Sequence, residues 1–204
     1  MPSIYDLKPA FQNLLRPVCT RLAARGVTAN HVTGAALFMS LAHGAWIALS
    51  AGSTASLILL PVTLFARMAL NAVDGMLARE HDMKSRKGAL FNELADLASD
   101  AALYLPFALV AGVTPALAML VTVLVVVAMI AEAAGMLGPL IGGSRRYEGP
   151  FGKSDRAFAF GVLALLLAYG FAPGGWMGAI LIVWIFLSIW TMVNRCRAAL
   201  EETE

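Results

Sequence analysis

The chain has 204 residues, of which 59% are hydrophobic and only 14% are charged. Soluble domains are roughly one quarter charged, so this composition excludes an ordinary soluble domain and indicates a polytopic membrane protein. The formal net charge of +2 is less informative than the positions of the charges along the chain.

The first predicted element is an amphipathic helix within residues 1–26. Its apolar residues recur at helical spacing between basic ones: Phe11, Leu14, Leu15, Val18 and Leu22. We expect this helix to lie on the membrane surface, the alternative being a mobile tail. A membrane domain is predicted over residues 27–198 and a short acidic tail over 199–204.

Six apolar segments make up the predicted membrane domain, which is therefore all-α. Each is close to the roughly 20 residues that cross a bilayer as a helix. We predict membrane-spanning helices at about 31–51, 55–78, 88–112, 115–140, 155–171 and 176–194.

The basic residues indicate the orientation of these spans. Every Lys and Arg except Arg67 falls at the N-terminus, in the loops 79–87 and 145–156, or at the C-terminal end. Six spans place all four of these regions on one side of the membrane. The positive-inside rule makes that side cytoplasmic, so both termini are predicted to be cytoplasmic.

Polar side chains interrupt the second and third predicted spans. Residues three, four and seven apart share a helix face, so each of these spans carries a polar face. On the second helix that face holds Arg67, Asn71, Asp74 and Ala78. On the third it holds Gly88, Asn92 and Asp96, and Asp100 extends it by one turn.

A short loop joins these two helices, so their polar faces can meet. Oxygen ligands from two facing helices suit a hard divalent cation such as Mg²⁺. The alternative is that the acids form purely structural pairs with Arg67, Arg79 or the loop cations.

The stretch from Asn71 to Asp96 resembles a known signature. It reads Asn71-x2-Asp74-Gly75-x2-Ala78-Arg79-x8-Gly88-x3-Asn92-x3-Asp96. The signature of the CDP-alcohol phosphatidyltransferases is D-x2-D-G-x2-A-R-x8-G-x3-D-x3-D. The resemblance extends to "TANHVT" at 28–33 and "GPFGKSDRA" at 149–157, and is greatest to small bacterial inner-membrane members of undefined substrate.

The resemblance implies a site for Mg²⁺ or Mn²⁺, with one or two ions bound. The implied metal ligands are Asn71, Asp74, Asn92 and Asp96, of which Asp96 is also the implied catalytic base. Asn71 and Asn92 stand where the family has acids, so two negative charges are lost. Either one ion binds, or Asp100 and Glu93 restore charge, or catalysis has been lost. We favour Asp100 as a partial substitute ligand.

The resemblance also implies where the substrates bind. It assigns the cytidine nucleotide to Asp74, Gly75, Ala78, Arg79 and Gly88. It favours Lys153 and Arg156 as ligands of an anionic acceptor such as a phosphorylated polyol. Glu132, a further acid within a span, either pairs with Arg67 or faces the acceptor pocket.

The implied reaction moves a phosphatidyl group from CDP-diacylglycerol to a small hydroxyl acceptor and releases CMP. The alternative is a catalytically impaired member that binds lipid or nucleotide. A transporter would also place charges in its spans, but the chain shows no internal repeat or discontinuous helix. Membrane lipids are expected partners, a homodimer is compatible with the resemblance, no nucleic-acid partner is expected, and the predicted location is the bacterial inner membrane.

Overall fold

A computed structural model of the protein describes residues 4–203, with side-chain surroundings from residue 11 onwards. Helix accounts for 82% of the structure, and there is no strand among the described residues. The predicted all-α class is therefore confirmed.

Seven α-helices follow one another in the described part of the chain. They are α1 (Ile4–Ala24), α2 (Ala29–Leu49), α3 (Thr54–Glu80), α4 (Arg86–Tyr104), α5 (Pro115–Leu137), α6 (Lys153–Ala168) and α7 (Gly175–Thr203). Short 3-10 helices follow α4 at Leu105–Leu109 and α5 at Gly138–Ile141. Each of the six apolar segments found in the sequence coincides with one of α2 to α7.

The end of α4 differs from the prediction. The sequence predicts one helix over 88–112, whereas α4 stops at Tyr104 and a 3-10 helix containing Pro106 takes over. Proline lacks a backbone N–H and its ring clashes with the preceding helical turn, so it favours this change of helix type.

Four of these helices are long and apolar enough to cross a membrane: α2, α3, α5 extended to Ile141, and α7. The other two predicted spans do not reach that standard in the described residues. Three acids, Glu93, Asp96 and Asp100, lie on α4, and α6 is only 16 residues long. The count of six spans therefore stays a prediction.

The chain divides into two compact units, and the first comprises residues up to Ala42 together with Val62–Ser99. Its buried core joins residues of α1, α2 and α3: Cys19, Ala29, Val32, Val73, Met76 and Leu77. On α1, Leu14 and Val18 are exposed, while Arg16 pairs with Glu80 of α3 at 3.1 Å. One face of α1 thus packs on its own unit, and its placement on a membrane surface stays a prediction.

The second unit comprises His43–Pro61 and the chain from Asp100 onwards. A glycine permits one close approach, because a Cβ on Gly44 would collide with the carbonyl oxygen of Ala102. Aromatic packing joins the end of α4 to α6, where the rings of Tyr104 and Phe160 stack with centroids 4.2 Å apart. Phe107 meets the same Phe160 ring edge-on at 5.1 Å.

Candidate functional site

The polar faces of α3 and α4 meet in the first unit. The amide of Asn71 donates to Oδ1 of Asp96 at 3.0 Å. The guanidinium of Arg67, one turn before Asn71, donates to the Asp96 backbone carbonyl at 3.1 Å and lies 3.4 Å from Oδ1. Arg67 is only 3% exposed. The expected contact between these two faces is confirmed.

The other carboxylate of the signature is held from α2. The hydroxyl of Thr33 donates to Oδ2 of Asp74 at 2.8 Å, and both residues are buried. Thr33 is the last residue of the "TANHVT" stretch, but it was not predicted as a site residue. Because the hydroxyl donates to one carboxylate oxygen, it fixes the orientation of Asp74 without neutralising its charge.

The glycines of the signature leave room for polar side chains. A Cβ on Gly75 would lie 3.2 Å from Nη2 of Arg79, so the guanidinium of Arg79 folds back over this glycine. A Cβ on Gly88 would lie 2.8 Å from Asn30 Oδ1 and equally close to Ser85 Oγ. Arg79 itself is exposed at the end of α3. The implied nucleotide residues therefore include two sites of close approach.

The remaining residues of the signature are accessible. Ala78 on α3 and Asn92 on α4 are half-buried, and Asn92 precedes Asp96 by one helical turn. Asp96 keeps 21% of its side-chain surface exposed even with Arg67 beside it.

The oxygen ligands of the first unit fit one hard cation better than two. Among the described residues, no three His, Cys, Asp or Glu side chains come together as a ready metal cluster. What the first unit offers is two carboxylates, Asp74 and Asp96, and the amide oxygens of Asn71 and Asn92. Mg²⁺ is commonly bound through one or two carboxylates with water and substrate phosphates completing its shell, so these residues fit one such ion.

A second group of charged side chains lies in the second unit, around Arg156 of α6. Arg156 is 1% exposed. Its Nη2 lies 3.0 Å from Asp100 Oδ2 and 2.8 Å from Glu132 Oε1, and its Nη1 donates to the Phe151 carbonyl at 3.2 Å. Arg156, proposed from the sequence as an acceptor ligand, is therefore a buried residue with two acidic partners.

Arg195 of α7, which was not predicted as a site residue, completes this group. It is 2% exposed, and its Nη1 lies 3.2 Å from Glu132 Oε2 and donates to the Ala131 carbonyl at 2.7 Å. In the sequence Arg195 reads as one of the cytoplasmic cations at the end of the last span. Glu132 thus pairs with both Arg156 and Arg195.

The loop before α6 holds the other basic residues of this region. Lys153 begins α6 and is half-buried. Arg145 stacks over the Tyr147 ring at 4.8 Å, and Arg146 pairs with Glu148 and with Glu202. Backbone amides of Glu148 and Tyr147, together with Arg146, lower the pKa of the Glu148 carboxyl. Arg145 and Arg146 therefore stabilise this loop through contacts with neighbouring side chains.

The chain is similar to known proteins over nearly its whole length. The family model of the CDP-alcohol phosphatidyltransferases matches residues 26–192. The chain is 45% identical over 198 residues to the inner membrane protein YnbA of Escherichia coli K12, covering 97% of this chain and 96% of that protein.

Two solved structures share the fold. Both are of phosphatidylinositol phosphate synthase (PgsA1) from Mycobacterium tuberculosis. The complex with manganese and citrate has a TM-score of 0.72 at 18% identity and covers 90% of this chain and 88% of that one. The complex with CDP-DAG has a TM-score of 0.69 at 19% identity and covers 92% of each chain.

The family match extends over most of the chain and includes both polar helix faces. The resemblance read from the signature is thereby confirmed, and so is the prediction of a transferase. The chain belongs to the CDP-alcohol phosphatidyltransferase family of enzymes.

Proposed function

We propose that this protein transfers a phosphatidyl group from CDP-diacylglycerol to a small alcohol and releases CMP, in the bacterial inner membrane. The observation that carries the proposal is the meeting of the two signature faces, with Asn71 and Asp96 3.0 Å apart. The name of the YnbA relative supports the location, and the PgsA1 complex with CDP-DAG supports the donor.

One divalent ion, Mg²⁺ or Mn²⁺, suits the charges of the first unit. Asp74 and Asp96 would hold it, with the amide oxygens of Asn71 and Asn92 as neutral ligands. When bound, the ion supplies Lewis-acid chemistry that neutralises charge on the diphosphate and on the departing CMP. Arg67 adds a fixed positive charge beside Asp96. Because Asn71 and Asn92 replace two acids and Arg67 balances part of the remaining negative charge, one divalent ion is enough to neutralise the site.

Asp96 is the proposed general base. It accepts the proton of the acceptor hydroxyl, whose oxygen then attacks the lipid-bearing phosphorus. A carboxylate is a weak base, so its orientation matters more than its proton affinity. Asn71 and Arg67 supply that orientation from α3.

The nucleotide would lie against the small residues of the signature. Gly75, Ala78 and Gly88 allow close approach to the helix backbones, while Arg79 is exposed and free to turn from Gly75 towards a phosphate.

Lys153 is proposed to contact the acceptor from the start of α6. Asp100 acting as a substitute metal ligand would require it to give up part of its contact with Arg156.

The proposal also includes six membrane spans, cytoplasmic termini and the domain limits 1–26, 27–198 and 199–204. Two of the three acids of α4 are consistent with a spanning helix because they contact partners within their own units: Asp96 contacts Asn71 and Arg67, and Asp100 contacts Arg156. A homodimer remains part of the proposal on family resemblance.

The reaction is tested with purified protein, CDP-diacylglycerol, Mg²⁺ or Mn²⁺ and a panel of small alcohols, with CMP release as the readout. We expect divalent-dependent release that Asp96→Asn abolishes. Asp82→Asn is the matched control, since Asp82 is an exposed acid in the loop between α3 and α4.

Two outcomes of this assay count against the proposal. CMP release that persists in Asp96→Asn would remove Asp96 from the role of base. Divalent-dependent binding of a cytidine nucleotide with no CMP release from any acceptor would favour the alternative of a binding protein that keeps the fold.

A further inference from the structure

The loop after α5 holds a carboxylate from the last turn of α7, within the second unit. Oε2 of Glu202 accepts from the Ser144 backbone N–H at 2.6 Å and from the Ser144 hydroxyl at 3.0 Å. Nη2 of Arg146 donates to the same oxygen at 2.6 Å. A backbone amide, a hydroxyl and a guanidinium that converge on one oxygen are donors with which proteins bind phosphate. The Glu202 carboxylate therefore occupies an anion site.

The guanidinium of Arg146 is not fully satisfied by these contacts. Its Nη1 lies 3.2 Å from Oε1 of Glu148, and its Nη2 also donates to the Ala198 carbonyl. Its Nε is buried and has no hydrogen-bond partner among the described residues. A buried donor without a partner costs free energy. A phosphate group offers more acceptor oxygens to this site than the single carboxylate oxygen that contacts it.

Glu202 can leave the site at little cost. Its side chain is 40% exposed, and α7 ends one residue later, at Thr203. Helix ends fray, and exposed ion pairs contribute little to stability. A Cβ on Gly143 would lie 3.0 Å from Oε2 of Glu202, so this glycine lets an anion approach the loop backbone closely.

The site follows directly on a helix that can span a membrane. The segment that begins with α5 is apolar enough to cross a bilayer as far as Ile141, and the loop begins at the next residue. Leu140 and Ile141 are exposed, and Arg145 covers the exposed ring of Tyr147 at 4.8 Å. Aromatic and basic side chains at the end of a span are typical of the headgroup level, where the lipid phosphates lie.

We propose that Ser144 and Arg146 bind the phosphate group of an anionic membrane lipid, and that Glu202 occupies this site until the lipid displaces it. Neither Ser144 nor Arg146 takes part in the transfer reaction proposed above. A phosphate monoester carries about −1.5 to −2 at neutral pH, more than the single charge of a carboxylate. Once Glu202 leaves, the positive charges of Arg145 and Arg146 outweigh the negative charge of Glu148, which favours an incoming anion.

Displacement of Glu202 is measured with a nitroxide on Thr203→Cys in a Cys196→Ser background, in which the remaining Cys19 is buried. The full-length protein is placed in vesicles of phosphatidylcholine, with or without phosphatidic acid, and the label is followed by paramagnetic resonance. We expect phosphatidic acid to raise the mobile fraction of the label. Glu202→Gln should give that raised fraction in phosphatidylcholine alone. Glu201→Gln is the matched control, an exposed acid on the same turn that should behave as the parent.

Retention of the lipid provides the second arm. Native mass spectrometry of the purified full-length protein gives its affinity for phosphatidic acid. Glu202→Gln should raise this affinity at least about fivefold, since a like charge about 4 Å away costs that much even in bulk water. Adding Arg146→Gln should remove the gain. If Arg146→Gln does not fold, adding Ser144→Ala instead removes one donor and should remove part of the gain.

Several results would overturn the inference. A label that phosphatidic acid leaves unchanged would mean that the lipid does not displace Glu202. A gain in retention that survives the loss of the Arg146 guanidinium, or an equal gain in Glu201→Gln, would place the lipid elsewhere. Equal mobilisation by the same concentration of inorganic phosphate, added to phosphatidylcholine vesicles, would assign the site to soluble phosphate instead of a lipid.

Discussion

The contribution of Arg156 to the stability of the protein can be predicted from its contacts with buried acids. Arg156→Leu removes the guanidinium that lies 3.0 Å from Asp100 and 2.8 Å from Glu132. Breaking a buried ion pair by removing one partner costs roughly 3–5 kcal/mol, because the other charge stays buried. For a chain of this size each kcal/mol lowers the thermal midpoint by about 2–4 °C, so we expect a fall of about 6–20 °C.

The assay is thermal unfolding of the purified protein in one fixed detergent. Adding Asp100→Asn to Arg156→Leu should recover part of the loss, since it removes a charge that the first substitution left behind. Arg16→Leu is the control, because Arg16 belongs to the exposed pair with Glu80 and such pairs contribute little. If Arg156→Leu lowered the midpoint no more than Arg16→Leu, the description of a tightly coupled buried group would be wrong.

Three further predictions concern the signature and the orientation of the chain. Asp96→Asn should lower CMP release by at least about 100-fold while leaving the thermal midpoint within a few degrees of the parent, and a collapsed midpoint would mean that the loss of release reflects unfolding. Asn71→Asp adds a carboxylate to the proposed ion site and should tighten Mn²⁺ binding at least about tenfold in a paramagnetic resonance titration; unaltered affinity would place the ion elsewhere. Cys196 is exposed near the end of α7 and Cys19 is buried in α1, where burial raises the pKa of its thiol. A membrane-impermeant maleimide should therefore label Cys196 faster than Cys19 and only in inverted vesicles, and labelling of Cys196 in intact spheroplasts would contradict a cytoplasmic C-terminus.

The helices were predictable because local sequence decides them. A long apolar run bounded by turn residues specifies α3 to within two residues of its predicted start and end, 55 and 78. The contact between Asn71 and Asp96 also followed from spacing, because helical periodicity puts each on a polar face and a short loop brings the helices together. The early end of α4 was missed, although Pro106 marks it.

The partners of the buried ions could not be predicted in the same way. Glu132 and Arg195 are 63 residues apart in sequence, and no local pattern indicates that they touch. Arg195 lies where a cytoplasmic cation is expected, and Arg156 was assigned to the acceptor by the resemblance. Neither interpretation indicated that the two side chains are buried against acids. Thr33 was missed because a threonine in an apolar helix is ordinary until a buried carboxylate is found opposite it.

The central claim is that Asp74 and Asp96 hold a divalent ion that grips the diphosphate of a CDP-linked lipid. The most direct measurement is the ³¹P resonance of CDP-diacylglycerol on the purified protein during addition of Mn²⁺, since a nearby paramagnetic ion broadens that signal. We predict strong broadening of both diphosphate signals with the parent and its loss in the Asp74→Asn, Asp96→Asn double variant. Equal broadening with parent and double variant, or none with the parent, would contradict the claim.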